Sequence, residues 1–429
     1  MILLISVIFV LGYIAITLEH PIKINKAATA LLTGVLCWSV FALFTANKHM
    51  VAENLLEHLG ELSGILFFLM GAMTIVELID AHDGFEMIKE KIQTKSKRKL
   101  VWLVSIFTFF FSAILDNLTT TIVMVSLLRK MIPDKKERLL FVGLIVIAAN
   151  AGGAWSPIGD VTTTMLWIGN QITTENIILK VFLPSLICAL IPTFLIASKF
   201  KGVIEPVIEP VKDTQHNINF TTSKKERNMV FWVGIGSLIF VPIFKTITHL
   251  PPYMGILFGL GMMWVITELI HHEKDEEEKG LLSVNHALRK IDTSSILFFL
   301  GILLSVAALQ ATGILGNLAL WMDKTIGNIN VITISIGFLS AIVDNVPLVA
   351  AAQGMYGMEQ FPTDHYFWVF LAYCAGTGGS ILIIGSAAGV VAMGMEKIDF
   401  FWYLRKISWL AVIGYMAGAA AFILQHYLF

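Results

Sequence analysis

Two Asp-Asn pairs are the residues of this sequence best placed to do chemistry. Asp116-Asn117 and Asp344-Asn345 each end a long apolar run, and each follows a Ser-Ala-Ile triplet. Neither run contains Lys or Arg near the pair. A carboxylate at hydrocarbon depth is costly and is by default a candidate for a functional site. Because the costly pair occurs twice, we expect the two copies to meet in one oxygen-lined pocket.

Further oxygen-bearing side chains lie in the same interrupted apolar segments. Asp160 adds a third carboxylate, and amide or hydroxyl groups come from Ser112, Asn117, Asn150, Ser156, Thr162, Ser340, Asn345, Ser380 and Ser386. Hard cations such as Na⁺ prefer oxygen ligands, by extension of the rule for Ca²⁺ and Mg²⁺. Burial disfavours a charged carboxylate and a bound cation restores it, so H⁺ and Na⁺ would compete for the same oxygens. The alternative is that each Asp only caps a helix, as Asp often does.

Composition indicates that these segments lie in a membrane. The chain has 429 residues, of which 56% are hydrophobic and 14% charged, and apolar runs of bilayer-spanning length recur throughout. The start of the chain is interpreted as a retained first span, without a signal peptide. Cys37, Cys188 and Cys374 have no metal-ligand spacing and are predicted to be packing residues. No phosphate loop, nucleophile elbow or zinc motif occurs, so we expect neither an enzyme nor a cofactor, and the near-neutral charge does not indicate nucleic-acid binding.

The order of the segments predicts an internal duplication. Residues 63–69 resemble residues 294–300, the Asp-Asn pair follows in each half, and a Gly-rich patch follows that. We predict a first repeat at 1–200, a cytoplasmic linker at 201–228 and a second repeat at 229–429, with hairpins at about 100–131 and 330–357 and broken helices at about 139–170 and 366–395. The remaining spans are predicted at 1–18, 28–46, 62–80, 177–198, 229–244, 253–270, 294–312 and 403–424.

Crossing numbers predict that the repeats are inverted. The arms of each hairpin are about 14–16 residues, short for a full span, so we interpret each as re-entrant with Asp-Asn at its tip. Five crossings then remain in each half, and an odd number forces the second half to enter from the opposite side. With both termini outside, 26 of the 30 Lys and Arg residues lie inside, as the positive-inside rule requires. The predicted fold is an all-α polytopic membrane protein with two inverted-topology repeats, each of about five transmembrane helices, one discontinuous, plus a re-entrant helical hairpin.

Titratable residues cluster where the third predicted span ends. Glu77, Asp80 and His82 are candidates for a proton path or a pH sensor, and a solvated interface is the alternative. In the second half, Glu268, His271 and His272 run into an acidic loop that we predict to be solvated.

These motifs resemble those of NhaD-type sodium/proton antiporters of the ion transporter (ArsB–NhaD) superfamily. The likeness lies in residues 71–82, 115–121, 150–160 and 343–347 and extends over nearly the whole chain. It implies exchange of Na⁺, or Li⁺, for H⁺ by alternating access across a bacterial inner membrane, in contact with lipids and as a homodimer. Position by position, it implies functional roles for Asp116, Asn117, Asn150, Asp160, Thr162, Ser340, Asp344, Asn345 and Ser380. The second Gly-rich patch lacks the Pro and Asp of the first, so the halves need not contribute equally.

Two other functions stay open at this point. One is a carrier of the same superfamily for a dicarboxylate or arsenite, driven by Na⁺, which segments free of basic residues disfavour. The other is a structural or assembly membrane protein that transports nothing.

Overall fold

The protein is helical throughout the part of the chain that its computed structural model describes, which is residues 1–86, 94, 96–200, 202, 222–272, 276–342 and 344–428. No β-strand occurs in these ranges, and nine helices within them are long and apolar enough to cross a membrane. The prediction of an all-α polytopic membrane protein is therefore confirmed.

The helices follow the predicted order of segments. The first half contains α1 (Ile2–Thr17), α2 (Glu19–Ile22), α3 (Lys26–Phe44), α4 (Lys48–Ala81), α5 (Lys97–Leu115), α6 (Asn117–Met131), α7 (Lys135–Ala154), α8 (Val161–Ile168) and α9 (Thr174–Lys199). The second half contains α10 (Lys224–Thr248), α11 (Pro252–Ile270), α12 (Glu276–Leu281), α13 (Val284–Lys290), α14 (Thr293–Ala311), α15 (Ile314–Thr325), α16 (Ile329–Ser340), α17 (Asn345–Met355), α18 (Tyr366–Gly378), α19 (Ala387–Glu396), α20 (Phe400–Tyr403), a π-helical turn (Leu404–Ser408) and α21 (Trp409–Leu428).

Several helices extend beyond the spans predicted for them, and one helix was not predicted. The span predicted at 62–80 is the second part of the 34-residue helix α4. Asn47 caps the start of this helix, and its polar first part contains two His–Glu pairs, with i,i+4 and i,i+3 spacing. Helix α15, which follows Gly313 in the left-handed region at φ 73°, was missed altogether. Both elements are too polar for a search restricted to apolar runs. The linker predicted at 201–228 lies largely outside the described residues, but α10 already begins within it, at Lys224, behind a Ser223 capping box.

Three of the four helices around the two Asp-Asn sequences differ in length from the predicted arms of about 14–16 residues. The first helix pair, α5 and α6, has arms of 19 and 15 residues, and the second helix pair, α16 and α17, has arms of 12 and 11. Helix α5 alone is long enough to span a bilayer, whereas both arms of the second helix pair are shorter than a span.

Helices α7 and α18 form the most buried part of the molecule. Every residue from 141 to 154 in α7 and from 367 to 378 in α18 is buried. Both helices are apolar all round over these stretches, which is the pattern of a helix surrounded by protein. They are the first halves of the two broken helices, so the interruptions that follow them, at 155–160 and 379–386, lie inside the protein.

Equivalent glycines bring each helix pair against a broken helix. A Cβ atom added at Gly152 would lie 2.1 Å from the carbonyl oxygen of Phe109, and one at Gly378 would lie 2.1 Å from that of Gly337. Hydroxyl contacts repeat in the same way, since Ser112 donates to the Ala149 carbonyl (2.5 Å) and Ser340 to the Ala375 carbonyl (2.9 Å). Both sets pair residues 226–228 positions apart in the sequence. The two halves therefore use the same local contacts.

Side chains satisfy the backbone where the first broken helix is interrupted. Pro157 and the glycines end α7 as predicted, although the segment stays helical through Ala154. Thr164 donates to the Pro157 carbonyl (3.0 Å) and Thr163 to the Asp160 carbonyl (2.9 Å). Irregular backbone at membrane depth requires such partners, because lipid offers none.

The interruption after α18 is held in a similar way by residues of the second half. The Ser380 hydroxyl donates to the Thr377 carbonyl (2.7 Å), and the Tyr403 hydroxyl donates to the Ser380 carbonyl (2.9 Å). The predicted discontinuity is thus present in both halves, although the second has neither Pro nor Asp.

A buried ion cluster joins the two halves at the end of α19. The carboxylate of Glu396, 1% exposed, accepts hydrogen bonds from Arg129 Nε (2.6 Å) and Arg138 Nε (3.0 Å). Removing one partner of a buried ion pair leaves the other charges uncompensated.

We expect Glu396→Gln to lower the free energy of unfolding by about 1–3 kcal/mol, a figure reduced from the fully buried case because Arg129 is 45% exposed. Thermal unfolding in detergent measures it. The control is Glu137→Gln, which removes the more exposed pair with Lys97 (2.7 Å) and should cost less than about 1 kcal/mol. Equal losses in the two variants would contradict the prediction.

Candidate ion-binding site

Four helices begin at the two Asp-Asn pairs or at the two interruptions of the broken helices, and each is capped by a polar side chain. Asp116 caps α6, Asp160 caps α8, Asp344 caps α17 and Ser386 caps α19. Their oxygen atoms accept from the backbone N–H groups of Thr119 (2.8 Å), Thr162 (2.9 Å), Val346 (3.3 Å) and Gly389 (3.3 Å), respectively. All three aspartates therefore cap helices, and Asp160 and Asp344 also make contacts beyond the cap.

Asp160 is the carboxylate on which both halves converge. It is 1% exposed and accepts from Asn117 Nδ2 (2.6 Å), from Asn345 Nδ2 (3.3 Å to each oxygen) and from the Thr162 hydroxyl (2.9 Å). Each asparagine belongs to one of the two Asp-Asn pairs. The structure thus brings together Asn117, Asp160, Thr162 and Asn345 from the set predicted by sequence.

Asn150 extends this group to the second broken helix. Its side-chain oxygen accepts from Asn117 Nδ2 (3.1 Å), and its Nδ2 donates to the Ser386 hydroxyl (3.0 Å) and to the Val146 carbonyl (3.0 Å). We call the buried side chains of Asn117, Asn150, Asp160, Thr162, Asn345 and Ser386 the central network.

Sequence reasoning named the Ser386 hydroxyl but left it out of the predicted site. Ser386 stands 226 positions after Asp160, as Gly378 stands 226 positions after Gly152. This shared offset could have identified Ser386 as the counterpart of Asp160. The second half therefore has a neutral hydroxyl where the first half has a carboxylate. The central network therefore holds one carboxylate and not two.

Asp116 lies beside the central network, in a mainly apolar cavity of its own. Its carboxylate also accepts from the Thr119 hydroxyl (2.9 Å). The cavity, of about 50 Å³, is lined by apolar side chains such as Phe68, Leu69 and Phe299. Asn117 lines it too, so the central network reaches this cavity through that residue.

Asp344 lies in a different cavity and has a basic partner. The ammonium nitrogen of Lys26 is 3.6 Å from Asp344 Oδ2, and both residues line a cavity of about 50 Å³ together with Tyr13 and Glu19. The inference that the site is free of basic residues was thus wrong at Asp344, because α3 supplies the base from outside the interrupted segments. Asp116 and Asp344 line separate cavities in the described structure, and Asp160 stands between the asparagines that follow them.

Ser340 and Ser380 face backbone carbonyls. Their hydroxyls donate to Ala375 and Thr377, respectively, and the two side chains are 0% and 1% exposed. Both hydrogen bonds fix the break around α18, and an ion-binding role for either serine stays a prediction.

The predicted titratable cluster at the end of α4 is divided between two environments. Glu77 pairs with Lys290 of α13 (3.6 Å), and Asp80 is exposed. His82 is fully buried and lies 2.8 Å, Nε2 to Nε2, from His271. His271 precedes the acidic loop that was predicted to be solvated, but it is itself only 1% exposed, because it ends α11 against α4.

The proteins and the family that this chain resembles are all named as transporters. Residues 13–376 match the citrate transporter family, CitMHS. The chain is 49% identical to sodium/proton antiporter 1 of Arabidopsis thaliana, over 98% of this chain and 72% of that protein. It is 47% identical to sodium/proton antiporter 2 of the same plant, over 98% and 99%. It is also 31% identical to the Na⁺/H⁺ antiporter NhaD of Vibrio parahaemolyticus, over 91% and 97%.

The relatives confirm the resemblance to NhaD-type antiporters, and their names are those of transporters, not of enzymes. The family match spans most of the chain, including both Asp-Asn pairs and the first interruption. The chain therefore belongs to the citrate transporter family.

Proposed function

We propose that this protein exchanges Na⁺, or Li⁺, for H⁺ across a membrane, with Asp160 as the carboxylate for which the ions compete. The observation that carries the proposal is the position of Asp160, which is buried and bound by asparagines of both helix pairs. An isolated charge at such a place is costly, so the carboxylate is expected to hold a proton or a cation. The antiporter names of the relatives support the same exchange.

The asparagines of the central network suit either ion. An Asn side chain carries both an amide donor and a carbonyl acceptor. With the amide groups facing Asp160, as here, they stabilise the charged carboxylate. Rotation of the same side chains would present carbonyl oxygens to Na⁺, a hard cation that prefers such ligands. Binding of one ion then displaces the other.

Access to Asp160 would alternate between the two cavities. The Asp116 cavity is lined by Asn117 of the central network, and the Asp344 cavity is lined by the residue that precedes Asn345. Matching contacts in the two halves support a pair of inverted repeats with re-entrant hairpins. We keep the predicted arrangement of termini outside and linker in the cytoplasm, a bacterial inner membrane as the location, and a homodimer as the assembly.

The expected result of reconstitution is that Na⁺ dissipates a pH gradient imposed on proteoliposomes of the purified protein, whereas K⁺ does not. A pH-sensitive dye inside the vesicles measures the exchange, and protein-free vesicles give the background. Variation of the membrane potential then gives the stoichiometry. A pH gradient unaffected by Na⁺ would contradict the proposal.

A second candidate is Na⁺-driven carriage of a carboxylate such as citrate. Two observations favour it, the family match and the Lys26 ammonium beside Asp344, since a base and helix N-termini suit an anion. Labelled citrate in the same vesicles distinguishes the candidates, because an antiporter of Na⁺ and H⁺ should not accumulate it.

A further inference from the structure

We propose that Lys26 is the resident counter-ion of Asp344. Its ammonium group pairs with the carboxylate while no transported cation is bound there, and it is displaced when one arrives. The proposal rests on the proposed function, because it assumes that Na⁺ reaches Asp344 on its way to or from the central network. It adds a competing cation that belongs to the protein itself.

The contact is close enough to neutralise Asp344 and loose enough to be broken. Lys26 Nζ lies 3.6 Å from Asp344 Oδ2, which is beyond a hydrogen bond. The two side chains are 20% and 14% exposed, so their attraction is stronger than that of a surface pair. The ammonium also lies 4.3 Å from the centre of the Phe298 ring, where a cation is attracted by the ring face. Lys26 can therefore withdraw over Phe298 without becoming an unpartnered charge.

The position of Lys26 in its helix indicates a specific role. It is the first residue of α3, directly after the Asn25 cap, where the helix dipole disfavours a cation. Glu19 accepts from the Lys26 backbone N–H (3.1 Å) and fixes that end of the helix. The cost of the charge is offset by Asp344, which α17 presents to the same cavity.

The cavity beside the pair has room for the competitor. Its volume of about 50 Å³ exceeds what one water molecule requires, and a cation of similar size fits. The titratable groups that line it are Tyr13, Glu19, Lys26 and Asp344, so its polar lining is largely oxygen. A cation that enters meets Asp344 and Lys26 together.

The twin carboxylate Asp116 lacks this device. Its side-chain oxygens accept from Thr119, and the described residues that line its cavity include no Lys or Arg. Among the described residues, Na⁺ therefore competes with a cation of the protein at the Asp344 cavity and not at the Asp116 cavity. Lys26 should weaken Na⁺ binding at Asp344 and not at Asp116.

The test is the KM for Na⁺ in reconstituted exchange at a fixed alkaline pH. We expect Lys26→Gln to lower the KM about threefold to tenfold, the effect of removing a partly buried pair, with kcat changed less than about twofold. Lys26→Arg keeps the charge and should keep the wild-type KM. The matched control is Lys48→Gln, since Lys48 is also the first residue of a helix behind an Asn cap but is exposed. Na⁺-dependent thermal stabilisation of the purified variants gives a second readout.

An unchanged or raised KM in Lys26→Gln would overturn the proposal. If that variant is poorly folded, Asp344→Asn and Asp344→Asn/Lys26→Gln are compared by Na⁺-dependent stabilisation. The Lys26 substitution should then have no effect, because the carboxylate through which it acts is gone, and a persisting effect would equally overturn the proposal. Failure of wild-type exchange would instead refute the proposed function, whereas normal exchange with an indifferent Lys26 refutes this inference alone.

Discussion

Asp160→Asn is expected to reduce Na⁺-driven exchange to the background of protein-free vesicles. The substitution keeps the size of the side chain and a cap for α8, since Asn is as good a capping residue as Asp. It removes the one carboxylate of the central network. In the wild-type protein, Asn117 Nδ2 and Asn345 Nδ2 donate to the Asp160 carboxylate. In the variant they face the side-chain NH₂ group of the new asparagine, which is itself a donor and cannot accept their hydrogen bonds. Neither ion then has a charged ligand between the two helix pairs.

The control for this variant is Asp134→Asn. Asp134 caps α7 through Lys136 N (3.0 Å) and is exposed, so the same chemical change at a helix start should leave exchange intact. Asp116→Asn and Asp344→Asn are expected to lose less than Asp160→Asn, since each of these residues lines only one cavity. Exchange near the wild-type rate in Asp160→Asn, with normal folding, would remove Asp160 from the mechanism.

Local sequence rules predicted the elements that position the site. Pro157 and the glycines around it, together with the patch after Gly376, predicted the two interruptions, because proline removes a donor and glycine weakens a helix. The Asp-Asn pairs were predicted at hairpin tips as functional residues, and the structure places each pair between two helices, with both asparagines in contact with Asp160. These features depend on a few adjacent residues, so a single sequence suffices to find them.

The partners of those residues were not predictable in the same way. Lys26 and Asp344 are 318 positions apart, and His82 and His271 are 189 apart. Lys26, His82 and His271 each look like a residue at the end of an apolar run, where charged side chains are usually solvated. Only the packing of α3 and α11 against other helices brings these groups into contact. Charge balance in the site therefore depends on tertiary packing. Inspection of the interrupted segments alone missed the basic partner of Asp344.

Gly152→Ala is expected to lower the free energy of unfolding by about 3 kcal/mol or more, the upper part of the range for overpacked cores. A methyl group there would lie 2.1 Å from the Phe109 carbonyl oxygen, and the next two atoms it would meet are also backbone. No side chain can rotate away, so α5 and α7 must separate. Because Ala stabilises a helix by about 1 kcal/mol relative to Gly, the measured loss of stability is smaller than the energetic cost of the steric clash by that amount.

The second half offers an internal comparison. Gly378→Ala meets the Gly337 carbonyl oxygen at the same 2.1 Å, so its loss should match that of Gly152→Ala if the two helix pairs are equivalent in packing. Gly394→Ala, in α19 with open space around the added atom, should leave stability unchanged or raise it by up to about 1 kcal/mol. Thermal unfolding in detergent compares all three. A large loss in one helix pair alone would show that the duplicated contacts do not carry equal weight, while a loss in neither would show that the backbones can move apart at little cost.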